Sequence, residues 1–103
     1  MDISEELNQI AKHYGYEAQS NQLIEECAEL IQAINKYKRA TKEEVFTEKA
    51  YVALNNLIEE ITDVEIMLEQ IKHLLAIPED DIKIIKCYKI NRTKERMARS
   101  KGE

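Results

Sequence analysis

Residues 21–30 read NQLIEECAEL, and residues 55–64 repeat this pattern as NNLIEEITDV. Asparagine, leucine, isoleucine and two consecutive glutamates recur at the same offsets, and Glu29 of the first copy corresponds to Asp63 of the second. The apolar residues of both copies recur at helical spacing. We therefore interpret the repeat as two equivalent helical segments.

A helical conformation would place acidic residues beside an apolar stripe in both copies. The two stripes consist of Leu23, Cys27, Leu30 and Ile34, and of Leu57, Ile61, Val64 and Leu68. Glu26 and Glu29 are three residues apart and so lie on one flank of the first stripe. Glu60 and Asp63 have the same offsets from the second stripe, so antiparallel packing of the two helices would bring four carboxylates together.

Four converging carboxylates need a counter-charge, because they repel one another and lose hydration. A hard divalent cation that prefers oxygen ligands removes that penalty. Mg²⁺ is the usual occupant where water and phosphate complete the coordination shell. The repeat therefore predicts a metal site.

The composition favours a single all-α domain that spans residues 1–103. The chain has 103 residues but only two glycines and one proline, which is typical of long helices with few tight turns. We expect an antiparallel bundle of about four helices over residues 2–14, 18–39, 47–75 and 79–97. The third helix is long enough for a break before Asn55. Residues 1–17 would hold the N-terminal helix and residues 98–103 would form a frayed tail. With 44% hydrophobic residues the core is small, so we also expect homo-oligomerisation, to a dimer or a tetramer.

Charge is unevenly distributed along the chain. The net charge is −5, yet residues 83–101 contain eight lysines or arginines and only one acid, Glu95. This arrangement suits a metal together with a phosphate ligand, and it is also compatible with a solvated tail or weak nucleic-acid contact. The two cysteines are far apart and form no zinc-binding pattern, and Cys27 on its apolar stripe should be buried. No signal peptide or membrane-spanning run is present, which favours a cytoplasmic protein without membrane contact.

The pattern E-E-x-x-E followed by E-x-x-D resembles the MazG-like family of all-α nucleotide pyrophosphohydrolases. The resemblance covers roughly residues 20–97 and includes the basic segment KINRTKER at residues 89–96. It implies Mg²⁺-dependent cleavage of a nucleoside triphosphate between the α and β phosphates, with Mn²⁺ as a substitute metal and a role in cleaning the nucleotide pool. The implied metal ligands are Glu26, Glu29, Glu60 and Asp63. Glu25 would be an outer ligand or the base that orients the water, and Glu26 would take part in catalysis through the metal.

The residues themselves suggest where a substrate would bind. Lys89, Arg92 and Arg96 follow helical spacing on one face, so they could hold the β and γ phosphates, and Lys86 could join them. Gln22 and its counterpart Asn56 precede the acidic motifs and could contact base or sugar.

Two other functions are compatible with the sequence. The first is a non-catalytic helical oligomerisation or interaction module, in which the acids and bases form surface pairs. The second is a nucleic-acid-associated protein that uses residues 83–101, which we consider weaker than the enzymatic interpretation.

Overall fold

The described chain is helical apart from its connecting segments. The computed structural model describes the backbone of residues 1–102 and the side chains of residues 1–100. The four helices are α1 (Ile3–Tyr14), α2 (Tyr16–Ala40), α3 (Glu48–Leu74) and α4 (Glu79–Gly102). The prediction of an all-α fold with four helices is confirmed.

Side-chain caps account for the starts of two helices. Asp2 accepts a hydrogen bond of 3.2 Å from the backbone N–H of Glu5, and Thr47 accepts one of 3.1 Å from the N–H of Ala50. Both caps satisfy amide groups that the first helical turn leaves without partners. From Thr47 the third helix runs without interruption to Leu74, so the break considered before Asn55 does not occur.

Gly15 forms the joint between α1 and α2. Its backbone has φ 88° and ψ 169°, a region that is essentially restricted to glycine. Its N–H still bonds to the carbonyl of Ala11 at 2.8 Å, which closes α1. A single residue therefore suffices to redirect the chain, and α2 begins at Tyr16, two residues earlier than expected.

The fourth helix continues further than expected. It extends to Gly102, so residues 98–102 form the end of α4 and not the predicted frayed tail; Glu103 lies outside the described residues. Alanine, lysine and arginine in this segment are good helix formers and no proline interrupts them. At the other end, Lys72 of α3 forms an ion pair of 2.9 Å with Glu79.

Three helices pack together and the fourth projects. Helices α2 and α3 lie antiparallel along most of their length, and α1 packs mainly on α3. Within the described chain, α4 packs against none of the other helices, and of residues 79–100 only Ile82 is even partly buried. The radius of gyration is 17.8 Å. A compact domain of this length would have about 13 Å, so the projecting helix dominates the shape.

The core is thin and its centre differs from the predicted stripes. The buried apolar residues are Leu7, Ala11, Ala33, Ala50, Val64 and Met67. Of the predicted stripes, Ile34, Ile61 and Leu68 are exposed by 42%, 42% and 45%. Cys27 is half-buried and not buried as expected. Among the described residues, none of the helices combines the length and apolarity needed to cross a bilayer.

Candidate functional site

The acidic residue Glu26 lies in the seam between α2 and α3. It follows Gln19 by seven residues and precedes Ala33 by seven, and both of those residues are buried. Positions seven residues apart return to the same face of a packed helix. Glu26 therefore faces α3 from the middle of the contact, and not from the flank of the apolar stripe that the sequence pattern predicts.

The acids of α3 are likewise spaced seven residues from buried residues. Glu60 precedes the buried Met67 by seven residues, and Asp63 precedes the buried Gln70 by seven. These carboxylates therefore occupy positions that would ordinarily belong to the apolar core. The seam changes from apolar to acidic within about two helical turns.

The two sequence copies meet in a crossed arrangement. Carboxylate oxygens of Glu26 in the first copy and Asp63 in the second lie within 4.8 Å of each other, and Glu29 of the first copy is a neighbour of Glu60 in the second. The first acid of each copy (Glu26 or Glu60) thus lies opposite the second acid of the other copy (Asp63 or Glu29). This is the arrangement that an approximate two-fold axis between antiparallel helices produces. Of the four acids predicted to meet across the seam, the structure brings Glu26, Glu60 and Asp63 together, and Glu29 lies beside Glu60.

Three of these acids form the tightest cluster. Glu26, Glu60 and Asp63 each offer a carboxylate oxygen, all within 4.8 Å of one another, and all three residues are half-buried. The Oε2 atoms of Glu26 and Glu60 are buried and have no hydrogen-bond partner within the described part of the chain. A buried oxygen without a partner is costly and calls for a ligand. Glu29 lies at the exposed edge of the cluster.

The cluster also shifts the protonation of its members. Loss of hydration raises the pKa of Glu60, and the neighbouring charges of Glu29, Asp63 and Glu26 raise it further. Loss of hydration likewise raises the pKa of Asp63, with a contribution from Glu26. Both shifts mean that the folded chain resists carrying these charges together. A bound cation would reverse that preference.

Amide side chains support the cluster from one side. The Nε2 group of Gln22 donates a hydrogen bond of 2.8 Å to Oε1 of Glu26. This hydrogen bond holds the Glu26 carboxylate in place, and the predicted contact of Gln22 with substrate stays a prediction. Further along the seam, Gln19 Nε2 donates to Gln70 Oε1 at 2.7 Å, and both residues are buried.

The donor set fits a hard divalent cation. It consists only of carboxylate oxygens, with two of them buried and unpartnered, and it contains no sulfur or imidazole. Carboxylates with room for water on one side are typical of Mg²⁺ sites. The residues present therefore fit the predicted metal, although its identity stays a prediction.

Glu25 does not belong to this cluster. Glu25 and its counterpart Glu59 are exposed, and neither is among the acids that converge in the seam. Each is adjacent to a seam residue in sequence, and one step along a helix turns a side chain by about 100°. The proposed role of Glu25 as outer ligand or base finds no support from its position.

The predicted phosphate-binding residues of α4 are not brought to the acids within one protomer. Lys86, Lys89, Arg92 and Arg96 are exposed, and α4 packs on none of the other described helices. The guanidinium of Arg92 instead lies 5.8 Å from the ring centre of Tyr88 on the same helix. Contact between these cations and a bound phosphate stays a prediction, and it would require a second chain.

A groove of about 780 Å³ lies at the opposite end of the seam from Gln19 and Gln70. It is lined by Lys36, Arg39, Ala40, Glu48, Lys49, Val52, Ala53 and Asn56. Asn56 was predicted to contact substrate, whereas the three cations Lys36, Arg39 and Lys49 were not. The helix dipole already explains the basic residues at the end of α2, so the sequence alone carries no signal of a binding role for them. Only the antiparallel register brings it opposite Lys49.

Comparison of the sequence with protein-family models, with characterised proteins and with solved structures found no match. The resemblance to the MazG-like family accordingly remains a prediction from the motifs.

Proposed function

We propose that the protein is a Mg²⁺-dependent nucleoside triphosphate pyrophosphohydrolase. The observation that carries this proposal is the convergence of Glu26, Glu60 and Asp63 with two buried, unpartnered carboxylate oxygens. An acidic surface patch would be solvated and would not leave such oxygens inside a helix contact. A role in removing unwanted nucleotides from the cellular pool is consistent with this chemistry.

Glu26, Glu60 and Asp63 would hold the metal. A divalent cation bound there supplies charge neutralisation on the phosphate oxygens and lowers the pKa of a coordinated water. Gln22 keeps the Glu26 carboxylate in place through its hydrogen bond. The stable α2–α3 contact holds ligands from both helices at a fixed separation, which is what a preorganised site requires.

Glu29 is best placed to receive a proton. It is a neighbour of Glu60 and is exposed, so it borders both the cluster and the solvent from which water arrives. In the proposed reaction a water oxygen bonds to the α phosphorus, the bond from that phosphorus to the bridging α–β oxygen breaks, and pyrophosphate leaves. The proton lost by the water passes to a carboxylate, and Glu29 takes this role in preference to Glu25.

The protein would act as a homo-oligomer. Only six apolar residues are buried in a protomer, and no large side chain is fully enclosed within the described residues. Ile24 and Ile31 on α2 and Ile58 on α3 are exposed by 66%, 61% and 53%. So much uncovered apolar surface is typical of a subunit interface.

Helix α4 is the element that we propose to pack against a second chain. It carries exposed apolar residues, among them Ile84 and Tyr88 at 68% and 66%, next to its basic residues. An acidic α2–α3 face and a basic helix are complementary in charge. In such an assembly the cations of α4 could reach the acidic cluster of a neighbouring subunit.

A substrate panel tests the proposal. Purified protein is incubated with individual nucleoside triphosphates and Mg²⁺ or Mn²⁺, and pyrophosphate and monophosphate are measured. We expect equal amounts of both products from at least one nucleotide and none in the presence of EDTA. Absence of pyrophosphate release from all of them at high protein concentration would instead favour the non-catalytic interaction module.

Analytical ultracentrifugation tests the assembly. We expect a dimer or tetramer for the native chain, and dissociation when Ile84 and Tyr88 are both replaced by glutamate. A monomeric native protein would contradict the homo-oligomer.

A further inference from the structure

The groove at the far end of the seam is continuous with the acidic cluster along α3. Asn56 lines the groove and precedes Glu60 by four residues, which is about one helical turn or roughly 6 Å. The groove therefore begins next to the metal ligands. Its volume of about 780 Å³ falls within the range of small-molecule sites.

The charge of this groove is opposite to that of the cluster. Lys36 and Arg39 of α2 and Lys49 of α3 line it, and Glu48 is the single carboxylate in the lining. None of these cations forms an ion pair with an acid in the described part of the chain. Three positive groups that converge from two helices and outnumber the single carboxylate of the lining favour an anionic ligand.

The opposite direction along the seam is closed. Gln19 and Gln70 are buried and bonded to each other, and α1 packs on α3 at that end. A substrate whose scissile phosphate lies at the cluster can therefore extend along the seam only towards the groove. The cations then lie on the side of the leaving group.

We infer that the groove lined by Lys36, Arg39 and Lys49 binds the polyphosphate end of the substrate. The β and γ phosphates would lie in this groove, while the α phosphate is held at the acidic cluster. This inference rests on the proposed pyrophosphohydrolase function.

The groove also explains why hydrolysis at the α phosphorus would be favoured. Negative charge accumulates on the departing pyrophosphate as the α–β bond breaks. Arginine and lysine side chains that already face that group stabilise the charge without moving far. Arg39 can contact two phosphate oxygens through its planar fork.

Binding of inorganic tripolyphosphate with Mg²⁺, measured by calorimetry on the chain of residues 1–103, tests the inference without any turnover. Lys36→Gln and Arg39→Gln should each weaken binding by about tenfold, which corresponds to one charge-assisted contact. Lys38→Gln is the matched control, because Lys38 lies on the same helix and is exposed but does not line the groove. Its affinity should equal that of the native chain.

Glu48→Gln provides a variant whose expected effect cannot arise from misfolding. Removal of the only carboxylate in the lining should tighten tripolyphosphate binding several-fold. The inference is overturned if Lys38→Gln weakens binding as much as Lys36→Gln, or if Glu48→Gln has no effect.

Kinetic measurements separate this inference from the proposed function. If the native chain releases pyrophosphate, Lys36→Gln and Arg39→Gln should raise KM more than Lys38→Gln does. Equal KM values for all three would refute the groove while the enzymatic function stands. Charge-dependent binding of tripolyphosphate by a chain that hydrolyses no nucleotide would support the groove and reject the enzyme.

Discussion

The amide of Gln19 donates a hydrogen bond of 2.7 Å to the side-chain carbonyl of Gln70 across the contact of α2 with α3. Both residues are buried, and each lies seven residues from an acid of the cluster. This pair fixes the register of the two helices, because a shift of either helix would leave two buried amides without partners. The register in turn sets which acids meet.

Loss of this pair should destabilise the protein and disturb the metal site. Gln70→Ala leaves the Gln19 amide unsatisfied, so we expect the free energy of unfolding to fall by roughly 1–3 kcal/mol. Urea denaturation measures the change. The double variant Gln19→Leu/Gln70→Leu should recover part of the stability, because no buried polar group remains. An equally large loss in both variants would argue against a register-setting role.

Removal of a metal ligand should have opposite effects in the absence and presence of Mg²⁺. Glu60→Gln relieves repulsion among the acids, so the melting temperature in EDTA should rise. The increase in melting temperature that Mg²⁺ gives the native chain should disappear. Pyrophosphate release should drop by at least about 100-fold. Thermal denaturation and product assays measure these effects.

The controls for this prediction come from the same repeat. Glu59→Gln changes an exposed acid next to Glu60 and should leave all three properties unchanged. Glu29→Gln should lower kcat but keep the stabilisation by Mg²⁺, since Glu29 is proposed to accept a proton. A Glu60→Gln chain that still gains stability from Mg²⁺ would exclude the assigned ligand set.

Stability should depend on pH through the same carboxyl groups. The pKa values of Glu60 and Asp63 are raised in the folded chain, so folding favours their protonated forms. In EDTA, their contribution is therefore largest below the ordinary carboxyl pKa and is lost as the pH rises through the raised values. Mg²⁺ binds the charged forms, so the stabilisation by metal should increase over that window.

Urea unfolding as a function of pH, with EDTA or with Mg²⁺, measures this dependence. Glu79 changes the pH dependence of stability in the opposite direction. Lys72 lowers the pKa of Glu79, so the stabilisation that Glu79 contributes is lost at acidic pH. The Glu60→Gln/Asp63→Asn variant keeps Glu79, so subtracting its profile from that of the native chain isolates the cluster. A difference that does not vary with pH would refute the prediction.

If α4 acts on a neighbouring subunit, two inactive variants should complement each other. Glu60→Gln removes a metal ligand, and Lys89→Gln/Arg96→Gln removes cations of α4. A mixed dimer contains one site in which both lesions are combined and one intact site. Random mixing should therefore restore about a quarter of native activity. Pyrophosphate release after co-expression measures it. Inactive mixtures, with mixed dimers demonstrated by differential tagging, would show that α4 does not contribute across the interface.

Substitution of Gly15 should destabilise the chain through its backbone. Gly15 has φ 88° and ψ 169°, a conformation that a side chain strains even though no atom would contact an added Cβ within 4 Å. Gly15→Ala should reduce the free energy of unfolding by about 1–3 kcal/mol. Urea denaturation measures the loss. Ser20→Ala on α2 is the control. Residue 20 makes no such demand on the backbone, so this substitution should change stability little.

Part of this architecture follows from local chemistry, and the sequence alone was sufficient to find it. Asp2 and Thr47 are residues that cap helices, and Gly15 and Pro78 are residues that end or start them. The duplicated acids could be identified from the sequence for the same reason, because residues with the same spacing in two helices lie on equivalent faces. These signals act over a few residues and need no knowledge of distant partners.

The tertiary structure decided which face of each helix is covered. A 3.6-residue period is compatible with several neighbouring faces, of which the most apolar one is the face that the sequence predicts to be buried. In the structure the seam follows seven-residue steps through Gln19, Glu26 and Ala33 instead. Polar residues at those positions are tolerated because they find partners across the contact, and no single helix contains that information.

The register of α2 against α3 also created the groove, and the projection of α4 separated its cations from the acids. Lys36 and Lys49 are separated in sequence by a polar connection, and only antiparallel packing brings them to one surface. The sequence thus determined the helices and the acids that could bind a metal. The packing determined which acids and cations share a site, because that depends on contacts between residues far apart in the chain.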